Sequence, residues 1–144
     1  MRAVALEEKF VQVSELGTIT VPSEYRHSNV LDEFRESHDK AFCSCDEEIT
    51  DEHFSNVTRK CKGGECFVTT VFQTTDLVKS GHCLTFLSTK HAVLVGAQGL
   101  ILAYQQNRTG LPTNWQIISL DTMKCLWRED GRKYRLPCLF IDPK

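Results

Sequence analysis

Apolar residues fall on alternate positions near the start of the chain: Val11 and Val13, then Ile19 and Val21, with Glu15-Leu16-Gly17 between the two sets and Pro22 after them. Period-two alternation marks half-buried strands, and proline cannot continue a hydrogen-bonded ladder. The segment therefore predicts two short strands around a turn. Val30, Leu31, Phe34 and His38 then recur at helical spacing, with Phe42 one turn further along the same face. Ser28-Asn29 ahead of them, and Asp32 and Glu33 in the first turn, suit a helix start. There a side-chain acceptor satisfies unpaired N–H groups and the helix dipole favours anions. Thr50 is placed to cap a second, short helix with Phe54 and Val57 as its apolar face.

From Cys66 onward the pattern changes. Residues 66–73 are rich in β-branched and aromatic side chains, and the apolar runs 84–87, 91–95 and 100–104 follow, separated by Ser88-Thr89-Lys90 and Gly96-Ala97-Gln98-Gly99. Each reads as a strand bounded by turn residues, as does 115–120. Residues 123–128 and 132–136 flank Asp130-Gly131, a hairpin signal, because a type I′ turn needs positive φ at both central positions. The expected fold class is α+β. It has short N-terminal strands and one or two helices, then a β-rich antiparallel sheet or small barrel or sandwich in the C-terminal half. The chain reads as a single globular domain over 1–144, with a helical, Cys/His-rich part at 29–66 and a β-rich part at 66–144. Asp76 to Leu84 and Leu120 to Trp127 resemble each other, and Cys83 and Cys125 lie 42 positions apart (125 − 83). That period falls in the range of propeller blades. One and a half blades cannot close a ring, so the likeness reads as shared hairpin grammar.

Composition narrows the class. A chain of 144 residues with 41% apolar and 25% charged residues has the makeup of a globular domain with room for a core. A net charge of −2 argues against a surface built throughout for nucleic acid. No apolar run approaches the roughly 18–20 residues of a membrane span. Met1 to Leu6 is too short for a secretory segment before Glu7 and Glu8 end it. Seven cysteines cannot all pair within one chain. Together these point to a cytoplasmic or nuclear protein, against which stand two glycosylation-type triplets, Asn56-Val57-Thr58 and Asn107-Arg108-Thr109.

The sharpest chemical signal is the set His38, Cys43, Cys45, His53, Cys61 and Cys66. Cys43-x-Cys45 and Cys61-x4-Cys66 are two close pairs separated by fifteen residues. Two such pairs can supply four thiolates to a tetrahedral Zn2+, with Cys43, Cys45, Cys61 and Cys66 as ligands and His38 and His53 as replacements. Gly63-Gly64 would let the backbone turn tightly around the ion, and Lys60 and Lys62 would offset the thiolate charge. Four protein ligands leave no open position, so such a zinc would be structural. This stretch distantly resembles small zinc ribbons of the C-x-C…C…C kind that sit beside nucleic-acid enzymes. The competing reading is buried, unligated cysteine.

Charge is segregated. Asp32, Glu33, Glu36, Asp39, Asp46, Glu47, Glu48, Asp51 and Glu52 face only Arg35 and Lys40. This is either a solvated surface or a docking face for a basic partner. Lys124, Arg128, Arg132, Lys133 and Arg135 interleave with Trp127 and Tyr134 on the predicted hairpin, where cations could track phosphates and rings could stack on bases. For catalysis the one arrangement to weigh is Cys83 with His82 or His91. Neighbours in a strand point to opposite faces, so His82 would not serve Cys83, whereas His91 could reach it across a hairpin. Neither Gly-rich stretch has phosphate-loop spacing. The sequence thus favours a non-enzymatic protein-interaction or adaptor domain with a structural zinc. Arg128, Arg132, Lys133 and Arg135 would be its partner-binding residues, for a protein partner or a second copy, with no membrane and no small-molecule substrate. The alternatives are a zinc-containing nucleic-acid-binding protein that uses the hairpin 124–135 and, behind it, a cysteine-dependent hydrolase.

Overall fold

The computed structural model describes residues 9–37, 43–45, 50–75, 78–113, 116–122, 127–129, 133–135 and 137–141, and of these the side chains of residue 14 and of strands 43–45, 127–129 and 133–135 are left aside. The first two elements to pair are far apart in sequence. β1 (Phe10–Thr20) runs antiparallel to the strand Cys66–Thr74, from Phe10 opposite Thr74 to Thr20 opposite Cys66. The two short strands expected before Pro22 are therefore one strand of eleven residues. The supposed turn at Glu15-Leu16-Gly17 is a bulge, where the register shifts and Gly17 takes φ +73. Glycine tolerates that left-handed backbone, so the ladder absorbs the extra residue and continues. Leu16, squeezed out of the ladder, is buried in the core, and its carbonyl accepts from Asn107 Nδ2 at 2.9 Å.

α1 (Val30–Ser37) forms where the helical spacing predicted it and buries Leu31 and Phe34. Its cap is not local. Leu31 N–H donates to Asp51 Oδ1 at 3.1 Å, Asp32 N–H donates to Asp51 Oδ2 at 3.0 Å, and Asp51 N–H returns a bond to Asp32 Oδ1 at 3.3 Å. Two of the nine clustered acids thus hold a helix start together. Thr50 does cap, as expected, but only one turn. His53 N–H donates to Thr50 Oγ1 at 3.1 Å and Phe54 N–H to the Thr50 carbonyl at 3.1 Å, and Phe54 is buried. β2 (Cys43–Cys45) follows α1 within the stretch expected to be helical.

The largest departure from expectation lies in the C-terminal half. With Cys66–Thr74 as β3, the runs read as strands at 84–87 and 100–104 belong to helices, α2 (Ser80–Thr89) and α3 (Gly96–Asn107), and 91–95 is the connection between them. α3 buries Ala97, Gln98, Ile101, Leu102, Ala103 and Tyr104, so it is covered nearly all round and its sequence shows a continuous apolar run with no helical period. Gly96 opens it at φ +68, and a Cβ there would come within 2.5 Å of Val57 Cγ1, so what resembled a strand-ending turn is a close approach of helix to loop. Of the two similar segments, 76–84 and 120–127, the first enters α2, which contains Cys83. Cys125 falls outside the described residues.

α2 ends in a Schellman turn. Ala92 N–H donates to the Leu87 carbonyl at 3.1 Å and His91 N–H to that of Ser88 at 3.0 Å, with His91 at φ +53. A Cβ-bearing residue in this region is strained, whereas glycine is not. His91→Gly is expected to stabilise the protein by roughly 0.5–1 kcal/mol, seen as a higher midpoint in urea at unchanged slope.

The remaining strands are short: β4 (Gln116–Ile118), β5 (Trp127–Glu129), β6 (Lys133–Arg135) and β7 (Cys138–Ile141). β7 pairs antiparallel with β2 on one side and β4 on the other, and β5 pairs antiparallel with β6 in shorter strands than expected, Glu129 standing opposite Lys133, with the turn residues 130–132 outside the described residues. The protein is thus a small α+β fold of helices and antiparallel sheets. Among the described residues no sheet closes into a barrel, and the C-terminal half is not predominantly β. The core lies where the β1–β3 ribbon (Leu16, Ile19), α1 (Leu31, Phe34), α3 (Ile101, Leu102, Tyr104) and the β7 sheet (Ile117, Leu139, Ile141) meet. Polar ties fix this meeting. Thr20 N–H donates to Gln106 Oε1 at 2.9 Å, Gln98 Nε2 donates to the Phe54 carbonyl at 2.8 Å, and Ser119 Oγ to that of Gly96 at 2.6 Å.

Candidate functional site

Side-chain direction on the ribbon sets up the site. Along β3, Phe67 and Val71 share one face and pack against the core, whereas Phe72 belongs to the other, by the strand's period of two. Phe10, paired with Thr74, shares the Phe72 face. α2 covers this end of the ribbon with a single buried aromatic. The Phe86 ring stacks on Phe10 with centroids 4.0 Å apart and planes 6° from parallel, and meets Phe72 edge-on at 5.0 Å. Cys83, Phe86 and Leu87 stand at i, i+3 and i+4, so one helix face presents all three.

Between that face, the ribbon end and β4 lies a cleft of about 520 Å³, in the size range of ligand and side-chain pockets. Phe10, Val13, Phe72, Leu87 and Ile118 are among its walls, and among the described residues lining it none carries a charged side chain. Val13 and Ile118 at its rim keep 43% and 44% of their surface exposed, so the cleft opens onto an apolar patch. A second, smaller groove between α1 and α3 is lined by residues of both charges, Arg26 and Glu33 among them, and has no comparable apolar floor.

Among the described residues lining the cleft, Cys83 carries the one thiol. Burial pushes its thiol above the ordinary range, which disfavours the reactive thiolate. The partner considered for it, His91, lies past the helix end in the Schellman turn, eight residues on. At 1.5 Å per residue that is about 12 Å along the axis. The strand hairpin that would have brought them together is a helix, and the geometry does not pair them.

Of the four cysteines expected to hold zinc, Cys61 is buried in the core cluster, with its thiol pushed up by burial and by Glu65 and lowered by Arg59. Cys66 is exposed at the end of β3, its sulfur 3.6 Å from Thr20 Oγ1. Cys43 and Cys45 sit on β2, where their backbones pair with Ile141 and Leu139, and their side chains lie outside the described residues. His53 is part of the Thr50 turn, and His38 is outside the described residues. Close to Cys61, Tyr25 and His27 approach Asp51. Tyr25 Oη lies 3.5 Å from His27 Nδ1, His27 Nε2 donates to the Ser55 carbonyl at 3.0 Å, and burial, then Cys61 and Asp51, push the Tyr25 hydroxyl upward. This is a partly buried polar seam beside the α1 cap.

The expected partner-binding residues fall on the hairpin. Arg128 pairs with Tyr134, Lys133 with Glu129 and Arg135 with Trp127, while Arg132, Asp130-Gly131 and the side chains of both strands lie outside the described residues. Both glycosylation-type triplets are structurally engaged. Thr58 N–H donates to Asp121 Oδ2 at 2.9 Å and its hydroxyl to Oδ1, and Asn107 holds the Leu16 carbonyl. Sequence reasoning missed Phe86, Val13 and Ile118. The spacing of Cys83, Phe86 and Leu87 was the available signal for the helix face. Among the described residues no helix is long and apolar enough to cross a membrane. No family model, curated protein or solved structure matches this chain.

Proposed function

We propose that this protein is a non-enzymatic protein-interaction domain whose binding surface is the cleft between the β1–β3 ribbon, α2 and β4. One observation carries this reading: an open cleft of about 520 Å³ whose described lining residues are uncharged and whose rim leaves Val13 and Ile118 more than two-fifths exposed. Apolar side chains left in water beside a preformed recess lower the free energy of a complex when a partner covers them. The raised thiol of Cys83 and its separation from His91 support binding over nucleophilic chemistry. The hairpin 124–135 and a structural zinc on Cys43, Cys45, Cys61 and Cys66 remain proposals from sequence spacing, and this reading does not depend on them.

The test is selection of a random displayed-peptide library on the folded protein, followed by measurement of each selected peptide against variants. Val13→Asp and Ile118→Asp place a charge at exposed rim positions, where the fold should tolerate it. Peptides are expected to lose binding roughly tenfold or more to both variants and to keep it for Glu52→Ala, an exposed change on another element. Selected peptides indifferent to both rim charges would remove the cleft as the binding surface.

A further inference from the structure

We infer that the partner enters this cleft as an extended segment laid along the outer edge of β4, with an apolar side chain in the recess and acidic residues beside it. The inference rests on the proposed binding role of the cleft and names the chemistry of its occupant. Three observations combine. First, β4 is the terminal strand of its sheet. Gln116, Ile117 and Ile118 pair with Phe140, Leu139 and Cys138 of β7, and among the described residues no strand pairs with the opposite edge. An open edge presents backbone N–H and C=O groups that an added strand can satisfy. Second, all three β4 residues line the cleft, so the edge and the apolar recess are contiguous. A segment that pairs with the edge therefore sets alternate side chains beside the recess.

Third, lysines adjoin the cleft's lining residues. Lys9 precedes Phe10, Lys79 stands between Val78 and Ser80, and Lys90 Nζ lies 5.5 Å from the centroid of the Phe86 ring. The acids nearest in sequence among the described residues are Asp121 after Leu120, which is buried and turned inward, accepting from Thr58 and from Thr122 N–H, and Glu15, exposed two residues past Val13, so three lysines stand against one exposed acid. These lysines thus complement a segment in which apolar residues alternate with or are flanked by Asp and Glu. A fatty-acid-like amphiphile has the same two chemistries, but it would leave the edge amides unmatched and would lie in a groove whose rim stays open to water.

The test uses the cleft-dependent peptides defined above. They are expected to be rich in acidic residues flanking an apolar one. Lys79→Glu and Lys90→Glu, with the fold verified by circular dichroism and thermal melting, are each expected to weaken binding about threefold to tenfold, with the loss reduced in high salt. Two versions of one peptide, N-methylated at alternate amides in the two possible patterns, separate edge pairing from other modes. Only one pattern blocks the amides facing β4, so one version should lose binding at least about tenfold while the other keeps it. Equal binding by both versions, a helical bound peptide, or no loss on either lysine reversal would overturn the inference while leaving the cleft as a binding surface. Full displacement of the peptide by dodecanoate at submicellar concentration would overturn it in favour of a lipid. Absence of any cleft-dependent peptide would instead defeat the underlying reading.

Discussion

Replacing Phe86 by alanine is expected to destabilise the fold by about 3–5 kcal/mol, the usual cost of deleting a buried aromatic ring. Phe86 is 2% exposed and is the one buried residue of α2, so it is the pin that holds this helix to the ribbon. Its ring stacks on Phe10, meets Phe72 edge-on and lies under the Lys90 ammonium, and each aromatic pair adds to the area term. Little else anchors the helix, because Cys83, Leu84 and Leu87 are only half-buried. Alanine at 86 should therefore free α2 as a unit. Equilibrium unfolding in urea would give the size, and amide exchange the pattern. Protection should fall across α2 and at the Phe10 and Phe72 end of the ribbon, and hold at its Ile19 end. Phe86→Leu keeps most of the apolar volume and should cost distinctly less. A loss below about 1 kcal/mol for the alanine variant would mean that α2 is not held by this stack.

The contrast between α1 and the other two helices shows what the sequence could carry. α1 has one face in the core and one in water, so Leu31 and Phe34 stand out against charged neighbours and the period is visible. The ribbon is legible for the same reason: Ile19, Phe67 and Val71 turn to the core from strands whose other residues are polar or partly exposed. α3 is buried almost all round, and an apolar run such as Leu100 to Tyr104 fits a core strand as well as a core helix. Gly96 and Gly99 then tipped the reading towards turns. In α2 the small residues Ser80, Gly81 and Thr85 diluted the Cys83, Phe86, Leu87 spacing, and the helix forms because tertiary packing on Phe10 and Phe72 outweighs weak local preference.

The cleft had no chance of being read from the chain. Its walls come from Phe10, Phe72, Leu87 and Ile118, which are distributed over more than a hundred positions and share no local signature. The cysteines drew attention because close spacing is visible in a sequence. The zinc on Cys43, Cys45, Cys61 and Cys66 stays a proposal from that spacing, because the Cys43 and Cys45 side chains lie outside the described residues. Charge runs are visible in the same way. Nine acids in one stretch read as a uniform surface, yet Asp51 among them is 8% exposed and binds two backbone amides.

Asp51→Ala is accordingly expected to cost about 2–3 kcal/mol, because it strips the acceptor from two N–H groups at a buried helix start. Asp51→Asn keeps one acceptor and removes the charge, and should cost roughly 1 kcal/mol. The pair of variants also fixes the pH dependence. Burial pushes the Asp51 carboxyl above its ordinary value and Asp32 adds to this, although the amides of Asp32 and Leu31 and the nearby His27 pull it down. A carboxyl raised in the fold binds its proton more tightly there than in the unfolded chain. Its contribution to stability is therefore complete below the unfolded value and is lost as pH rises through the folded one. Measured as wild type minus Asp51→Asn, which cancels the other carboxylates, the stability difference should grow as pH falls from neutrality into the ordinary carboxylate range and then level off. Urea melts at a series of pH values would show it. A difference that shrinks on acidification would mean that the amide bonds outweigh burial, and that the α1 cap is held chiefly as an anion.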